Sequence, residues 1–356
     1  MFLDNDRVFF ASANTVSGFR SYFGEIFNPE QLQKIYIIKG GSGTGKSGMM
    51  KKIGAAAKKA GLTVDTFLCS SDPDSLDGVL IREKKIAILD GTFPHTTDPK
   101  YPGVVEELVN TGAFWDEEIL AAHREEIISL IRDKGSCYKK ATQFLKAVGE
   151  IALEILWMGA RHFKHEKMNR AAVRIADRLF KPEDAFREEI RLVSSLNGGK
   201  RESLSTFQSL SKDVTVIQDH CFSAPLFLER IYQAAKESGQ SVVKSYSALF
   251  PEKPGALYFP KLEACFVVGE RDYDAEEKDK LYHYVNMQRF FDLEALKQNK
   301  QKLKFAKKCC DALLDGAAES FRDAAALHAK IEAHYKKAMD FTKIDQLTEE
   351  LIGEIL

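Results

Sequence analysis

The chain of 356 residues has little of several things, and each shortage excludes a class of protein. No stretch approaches the roughly 18 consecutive apolar residues of a membrane-spanning helix, so no membrane association is expected. Cysteine is sparse: six thiols, none in a C-x-x-C pair, argue against a disulfide scaffold and for reduced thiols in the cytoplasm. Cys309 and Cys310 are neighbours in a helical pattern and read as ordinary thiols. The first ten residues carry acids early and no apolar core before a cleavage site, so no secretory leader is expected. Neither charge is in excess: Lys plus Arg 51 against Asp plus Glu 52 leaves −1. That total implies no broad basic surface for nucleic acid or anionic lipid. With 44% hydrophobic and 29% charged residues, the composition is that of a globular chain of one large or two ordinary domains.

Against this plain background one motif stands out. The β-branched run Ile35-Tyr36-Ile37-Ile38 leads through Lys39 into Gly40-Gly41-Ser42-Gly43-Thr44-Gly45-Lys46-Ser47, a full match to G-x-x-x-x-G-K-[ST]. Met49, Met50, Ile53, Ala56, Ala57 and Ala60 follow at helix-face spacing, and Gly61 ends the run. Glycines let successive backbone N–H groups turn inward toward phosphate oxygens, and the helix start adds its positive end. The backbone of Gly41, Ser42, Gly43, Thr44, Gly45, Lys46, Ser47 and Gly48 is therefore the expected phosphate cradle. Lys46 is expected to reach the β- and γ-phosphates, and Ser47 to ligate Mg2+.

Lys85-Ile86-Ala87-Ile88-Leu89-Asp90 is an apolar strand ending in a carboxylate, and Asp90 is the expected second partner of the magnesium. Leu62 to Leu68 reads as a further strand, ending at Cys69-Ser70-Ser71-Asp72. Its end is expected beside the phosphate loop, which makes Asp72 a candidate to orient water or an acceptor hydroxyl. His95, five residues past Asp90, is the other candidate near the γ-phosphate. No glutamate follows Asp90, so the Asp-Glu pair of many ATPases is missing. The guanine-reading N-K-x-D is missing too, since Thr342-Lys343-Ile344-Asp345 lies in a helical region, and L-S-G-G-Q is absent. ATP is thus expected in preference to GTP.

The chain also repeats itself at a shift of 178 positions. Ile53 falls on Ile231, Ala56-Ala57-Lys58 on Ala234-Ala235-Lys236, Gly61 on Gly239, Val64 on Val242, Pro73 on Pro251 and Gly91 on Gly269. At the site the copies differ: Lys46 meets Ala224, Ser47 meets Pro225, and Asp90 meets Val268. The second loop, Gln218-Asp219-His220-Cys221-Phe222-Ser223, has no glycine and carries an acid that repels phosphate, so one nucleotide per chain is expected. Most of the polar set Asp72, Asp74, Asp77, Arg82 and His95 also disappears, the positions holding Phe250, Glu252, Gly255, Pro260 and Tyr273.

The whole chain resembles an uncharacterised group of bacterial tandem P-loop ATPases. The resemblance rests on Ile37 to Ser47, Cys69-Ser70-Ser71-Asp72, Ser75-Leu76-Asp77-Gly78-Val79 and Ile88 to His95. In that family the second half keeps a P-loop of its own, and this chain departs from the pattern there. What the resemblance implies is an α/β fold with a P-loop NTPase-like three-layer core, internally duplicated.

Between about Asp116 and Phe180 the apolar residues recur at helix spacing, with Gly135-Ser136 expected to break two long helices and Met168 to Phe180 to form a third. The region from about 276 to 356 repeats this design. Two domains are expected: 1–182, the active half with a helical extension over about 115–180, and 183–356, the degenerate half with its own, parting near Lys181-Pro182-Glu183-Asp184. Trp115 and Trp157 read as buried packing residues, and Arg161 to Lys167 and Lys297 to Lys308 as solvated helix faces rather than metal or nucleic-acid contacts. Arg20, Arg82, Arg124 and Arg201 are candidate arginine fingers. Three functions are open at this level: an ATPase (a hydrolase) or ATP-driven switch whose helical bundles meet a protein partner, a small-molecule kinase with Ser70 to Asp77 as acceptor site, and a non-hydrolysing ATP sensor.

Overall fold

The computed structural model describes residues 7–356 apart from 73, 95, 198–199, 272–276 and 278, and only the backbone of 200–202. The first half carries strands β1 (Arg7–Phe10), β2 (Ser12–Thr15), β3 (Gly18–Ser21), β4 (Lys34–Lys39), β5 (Val64–Leu68), β6 (Leu76–Ile81), β7 (Ile86–Asp90) and β8 (Glu106–Asn110). The second carries β9 (Glu188–Ile190), β10 (Ser194–Asn197), β11 (Lys200–Ser203), β12 (Asp213–Gln218), β13 (Val242–Tyr246), β14 (Pro254–Phe259), β15 (Ala264–Val268) and β16 (Leu281–Asn286). The longer helices are α1 (Lys46–Lys59), α2 (Arg124–Ala160), α3 (His165–Leu179), α4 (Ala224–Glu237), α5 (Lys300–Ala338) and α6 (Phe341–Ile355). Among the described residues no helix is long and apolar enough to cross a membrane.

The protein is α/β, with two mixed sheets of six strands. One sheet has the order β1-β5-β6-β7-β4-β8, and the other, read from its far edge, β9-β13-β14-β15-β12-β16. The directions match as well. β4 runs parallel to both β7 and β8, while β6 is antiparallel to its two neighbours. Likewise β12 is parallel to β15 and β16, and β14 is antiparallel to both of its neighbours. β4 lies between β7 and β8 and is covered on both faces, which is why Ile35 to Ile38 form an unbroken apolar run with no alternation. The order places β6 and β7 between β5 and β4, so β5 does not neighbour the strand that leads into the glycine loop, yet the turn after β5 leads to Leu76, whose amide donates to Ser47 Oγ at 3.0 Å. The reason for the separation is the antiparallel strand Leu76–Ile81, which inserts between the two strands and carries no strand signal beyond its apolar content.

The described residues divide into two compact units. The first comprises 7–12, Ser21–Ala141 and Glu319–Leu356, and the second Ala13–Arg20 and Thr142–Ala318. The units therefore interleave along the chain instead of parting near Lys181-Pro182. In the first unit, α6 packs on α1 and buries Ile344, Thr348, Leu351 and Ile355, a single helix face. The three large aliphatic side chains contribute about 1.5–3 kcal/mol each by burial. The exposed Lys52–Asp345 pair at 2.7 Å adds far less, about 0–1 kcal/mol. Apolar burial, then, decides which sheet α6 joins, and Tyr36 Oη donating to Glu354 Oε1 at 2.8 Å fixes its register. In the second unit α3 packs in the same manner on α4, burying Met168, Ala171, Ala172 and Ala176.

Two further expectations differ from the structure. The helix α2 runs unbroken through Gly135 and Ser136, whose helical cost of about 1 kcal/mol is small beside the packing of a helix 37 residues long. Trp157 lies on an outward face of α2 and is 62% exposed, while Trp115 is half-buried edge-on to Tyr335.

One buried charge anchors the first sheet. Asp65, fully buried on β5, pairs with Arg7 and with Arg82 at 2.9 Å. Losing the carboxylate would leave two guanidinium groups without it, at a cost near the lower end of the roughly 3–5 kcal/mol seen for broken buried pairs, since both arginines reach solvent.

Candidate functional site

The loop Gly40–Ser47 joins β4 to α1 in the first unit. Gly43 and Gly45 have φ of 74° and 91°, left-handed values that a side chain disfavours. α1 then begins at Lys46 with no acid in its first turn and no side-chain cap at Gly45. Its positive end thus meets no carboxylate from its own sequence. Lys46 is buried, and its Nζ donates to the Gly41 carbonyl at 2.6 Å and lies 3.6 Å from Asp90 Oδ2. Asp90 is held by the amide and hydroxyl of Thr92, at 2.9 and 2.6 Å on Oδ1, which leaves Oδ2 directed at the lysine. Ser47 Oγ accepts from the Leu76 amide at 3.0 Å, tying the helix start to β6.

Asp72 closes the turn that follows β5. It accepts from Ser75 Oγ at 2.6 Å and from the Asp74 amide at 3.2 Å. Ser70 and Asp77 are buried, each within 3.4 Å of Ser12 Oγ, so they are packed polar groups rather than an open lining. Burial, then the neighbouring Asp77, pushes the Cys69 thiol well above its usual range. Arg82 is engaged by Asp65, and Arg20 pairs with Glu252 inside the second unit. His95 lies outside the described residues, as does the side chain of Arg201.

Sequence reasoning missed a set of residues that two helices bring to the loop. An ideal Cβ on Gly41 would stand 2.5 Å from the Tyr335 ring, and one on Gly43 3.0 Å from the Glu332 carbonyl. The close approach of α5 thus needs glycine at both positions. Lys134 Nζ on α2 lies 3.3 Å from His328 Nδ1 on α5, and His328 Nε2 lies 3.6 Å from Glu332. Burial lowers the pKa of Lys134; Glu332 works against this, and the charge of Lys46 adds to it. His328 is likewise lowered, first by burial and then by Lys134. Tyr138 on α2 reaches Ser71 and is raised by burial. The signal was present as His328, Glu332 and Tyr335, spaced four and three apart on one helix face, but spacing does not say what the face covers.

The donor set suits magnesium triphosphate. Ser47 and Asp90 offer hard oxygens, Lys46 and Lys134 offer cations, and the turned glycine backbone with an acid-free helix start offers N–H groups.

The corresponding loop of the second unit is built differently. Cys221 and Phe222 take φ of 52° and 56°, and Asp219 Oδ1 accepts from the Ala224 amide at 2.7 Å at the start of α4. By the shift of 178, Asp219 stands where Gly41 stands. His220 packs edge-on against Phe291, and its Nε2 is buried with no partner among the described residues. No protein-family model, curated protein or solved structure matches this chain.

Proposed function

We propose that the chain is a Mg2+-dependent, ATP-binding P-loop protein, an ATPase or ATP-driven switch, with one nucleotide site. The observation that carries the reading is Lys46: a buried cation at the start of an uncapped helix, 3.6 Å from a positioned aspartate, in a loop with two left-handed glycines. Burying such a charge is costly unless strong partners hold it. Lys134, close enough to feel it, adds a second cation. The identical strand order and directions of the two sheets support a duplication of one P-loop-like core. Asp219 supports loss of the site in the second copy.

Bound magnesium triphosphate supplies the transferable phosphoryl group and a divalent charge. The chain's own residues do the rest. The amides of Gly41 to Gly48 would cradle phosphate, Lys46 would exchange the Gly41 carbonyl for phosphate oxygen, and Ser47 and Asp90 would hold the metal. The Gly41 carbonyl that Lys46 releases belongs to the residue on which Tyr335 rests, so the phosphate state is felt by the end of α5. That coupling makes a switch acting on a protein partner through the helices the favoured form. Asp72 and His95 remain the proposed groups for orienting water. The acceptor reading of Ser70 to Asp77 has less support, because Ser70 and Asp77 are buried. The free thiols fit a reducing cytoplasm.

Phosphate release from ATP and Mg2+ by the purified chain, with Lys46→Ala as control, tests the reading. Lysine-dependent turnover without any added acceptor is the expected result. Turnover that persists in Lys46→Ala contradicts it.

A further inference from the structure

A second convergence of ligand atoms lies in the first unit, away from the Lys46–Asp90 contact. His123 stands at the end of the short helix Glu117–Ala122, Glu126 in the first turn of α2, and His334 near the end of α5. One ligand atom from each lies within 4.8 Å of the others. Glu126 Oε1 is 3.4 Å from His334 Nε2, Glu126 Oε2 is 3.6 Å from His123 Nδ1, and the two imidazole centroids are 4.7 Å apart.

Those separations suit ligands gathered around one ion. A charge-assisted hydrogen bond between imidazole and carboxylate closes to about 2.7–2.9 Å, and neither pair does so. Metal–ligand bonds of about 2.0–2.1 Å at tetrahedral angles hold ligand atoms about 3.3–3.4 Å apart, which is the edge that Glu126 makes with His334. The His334 side chain is only 11% exposed, and its Nδ1 is buried with no hydrogen-bond partner among the described residues. Its Nε2 is the nitrogen that faces Glu126, at 3.4 Å.

We propose that His123, Glu126 and His334 bind a zinc-like divalent transition-metal ion, with water completing the coordination. Two imidazoles and one carboxylate suit Zn2+, Co2+ or Ni2+ and discriminate against Mg2+ and Ca2+, which take oxygen ligands. The ion ties the end of α5 to the start of α2 one residue from Tyr335, the side chain that rests on Gly41. The site does not depend on the nucleotide reading, since none of its ligands touches Lys46, Ser47 or Asp90.

The test uses the full chain stripped of metal by a chelator. Co2+ is followed by its visible absorption, Zn2+ by calorimetry and by displacement of Co2+. One Zn2+ per chain with micromolar or tighter affinity is expected, and a melting temperature that rises with Zn2+. His334→Gln can disturb a buried position, so the half-exposed Glu126→Gln and His123→Gln carry the decision. Each is expected to weaken binding at least tenfold and to abolish the thermal shift, while Lys46→Ala and Cys309→Ser leave both unchanged. Zn2+ affinity no tighter than millimolar, affinity unchanged in Glu126→Gln and His123→Gln, or loss of binding in Cys309→Ser would each overturn the proposal.

Discussion

Asp219 and Ala224 are joined by a carboxylate-to-amide hydrogen bond of 2.7 Å at the first turn of α4, at the end of a loop whose counterpart in the first unit ends in Lys46 and Ser47. The interaction satisfies a helix-terminal N–H and sets a negative charge against the positive end of the helix. Asp219→Ala is expected to lower stability by about 0.5–2 kcal/mol, read from the urea midpoint. An unchanged midpoint would show that the carboxylate contributes nothing there.

The contact between the glycine loop and α5 makes a separate prediction. Gly41→Ala places a Cβ 2.5 Å from the Tyr335 ring. Overpacking of this kind costs about 1–3 kcal/mol. Tyr335→Ala removes the obstacle, so the pair is expected to be non-additive, with Gly41→Ala far less harmful in the Tyr335→Ala background. Strict additivity in chemical denaturation would mean that the ring does not rest on the loop.

High pH is expected to weaken the fold. Burial pushes the Cys265 thiol up to about 12 and those of Cys221 and Cys310 to about 11. It also moves the Tyr232 hydroxyl to about 12. The unfolded chain loses the thiol protons near their ordinary value of 9.0, while the folded chain keeps them. Between those values the unfolded state binds fewer protons, so stability falls as pH rises. Urea midpoints measured from pH 8 to 10.5 are expected to decline, and less steeply in Cys265→Val. A flat profile would contradict the burial of these thiols.

The local parts of this architecture were legible in the sequence, because local chemistry writes them. Ile35 to Ile38 and the glycines after them define a strand and a loop, and Ile53 and Ile231, matched by the shift, both lie buried on helices, α1 and α4. The long-range parts were not. Nothing in the spacing of Ile344, Leu351 and Ile355 says that this face seats on α1 and not on the nearer α4, and nothing in His328, Glu332 and Tyr335 says that they cover a loop nearly 300 positions earlier. Gly135 and Ser136 misled for the opposite reason: their local preference is real, and tertiary packing overrides it. Asp65 gave no signal as the hub of an ion-pair triad, since its partners are 58 and 17 residues away.

The central claim is a single nucleotide site built on Lys46. Calorimetric titration of the full chain with ATP and Mg2+, alongside Lys46→Ala, tests it most directly. One site per chain is expected in the wild type, and an affinity at least a hundredfold weaker in the variant, whose circular dichroism stays unchanged. Two equivalent sites, or equal affinity in Lys46→Ala, would contradict it.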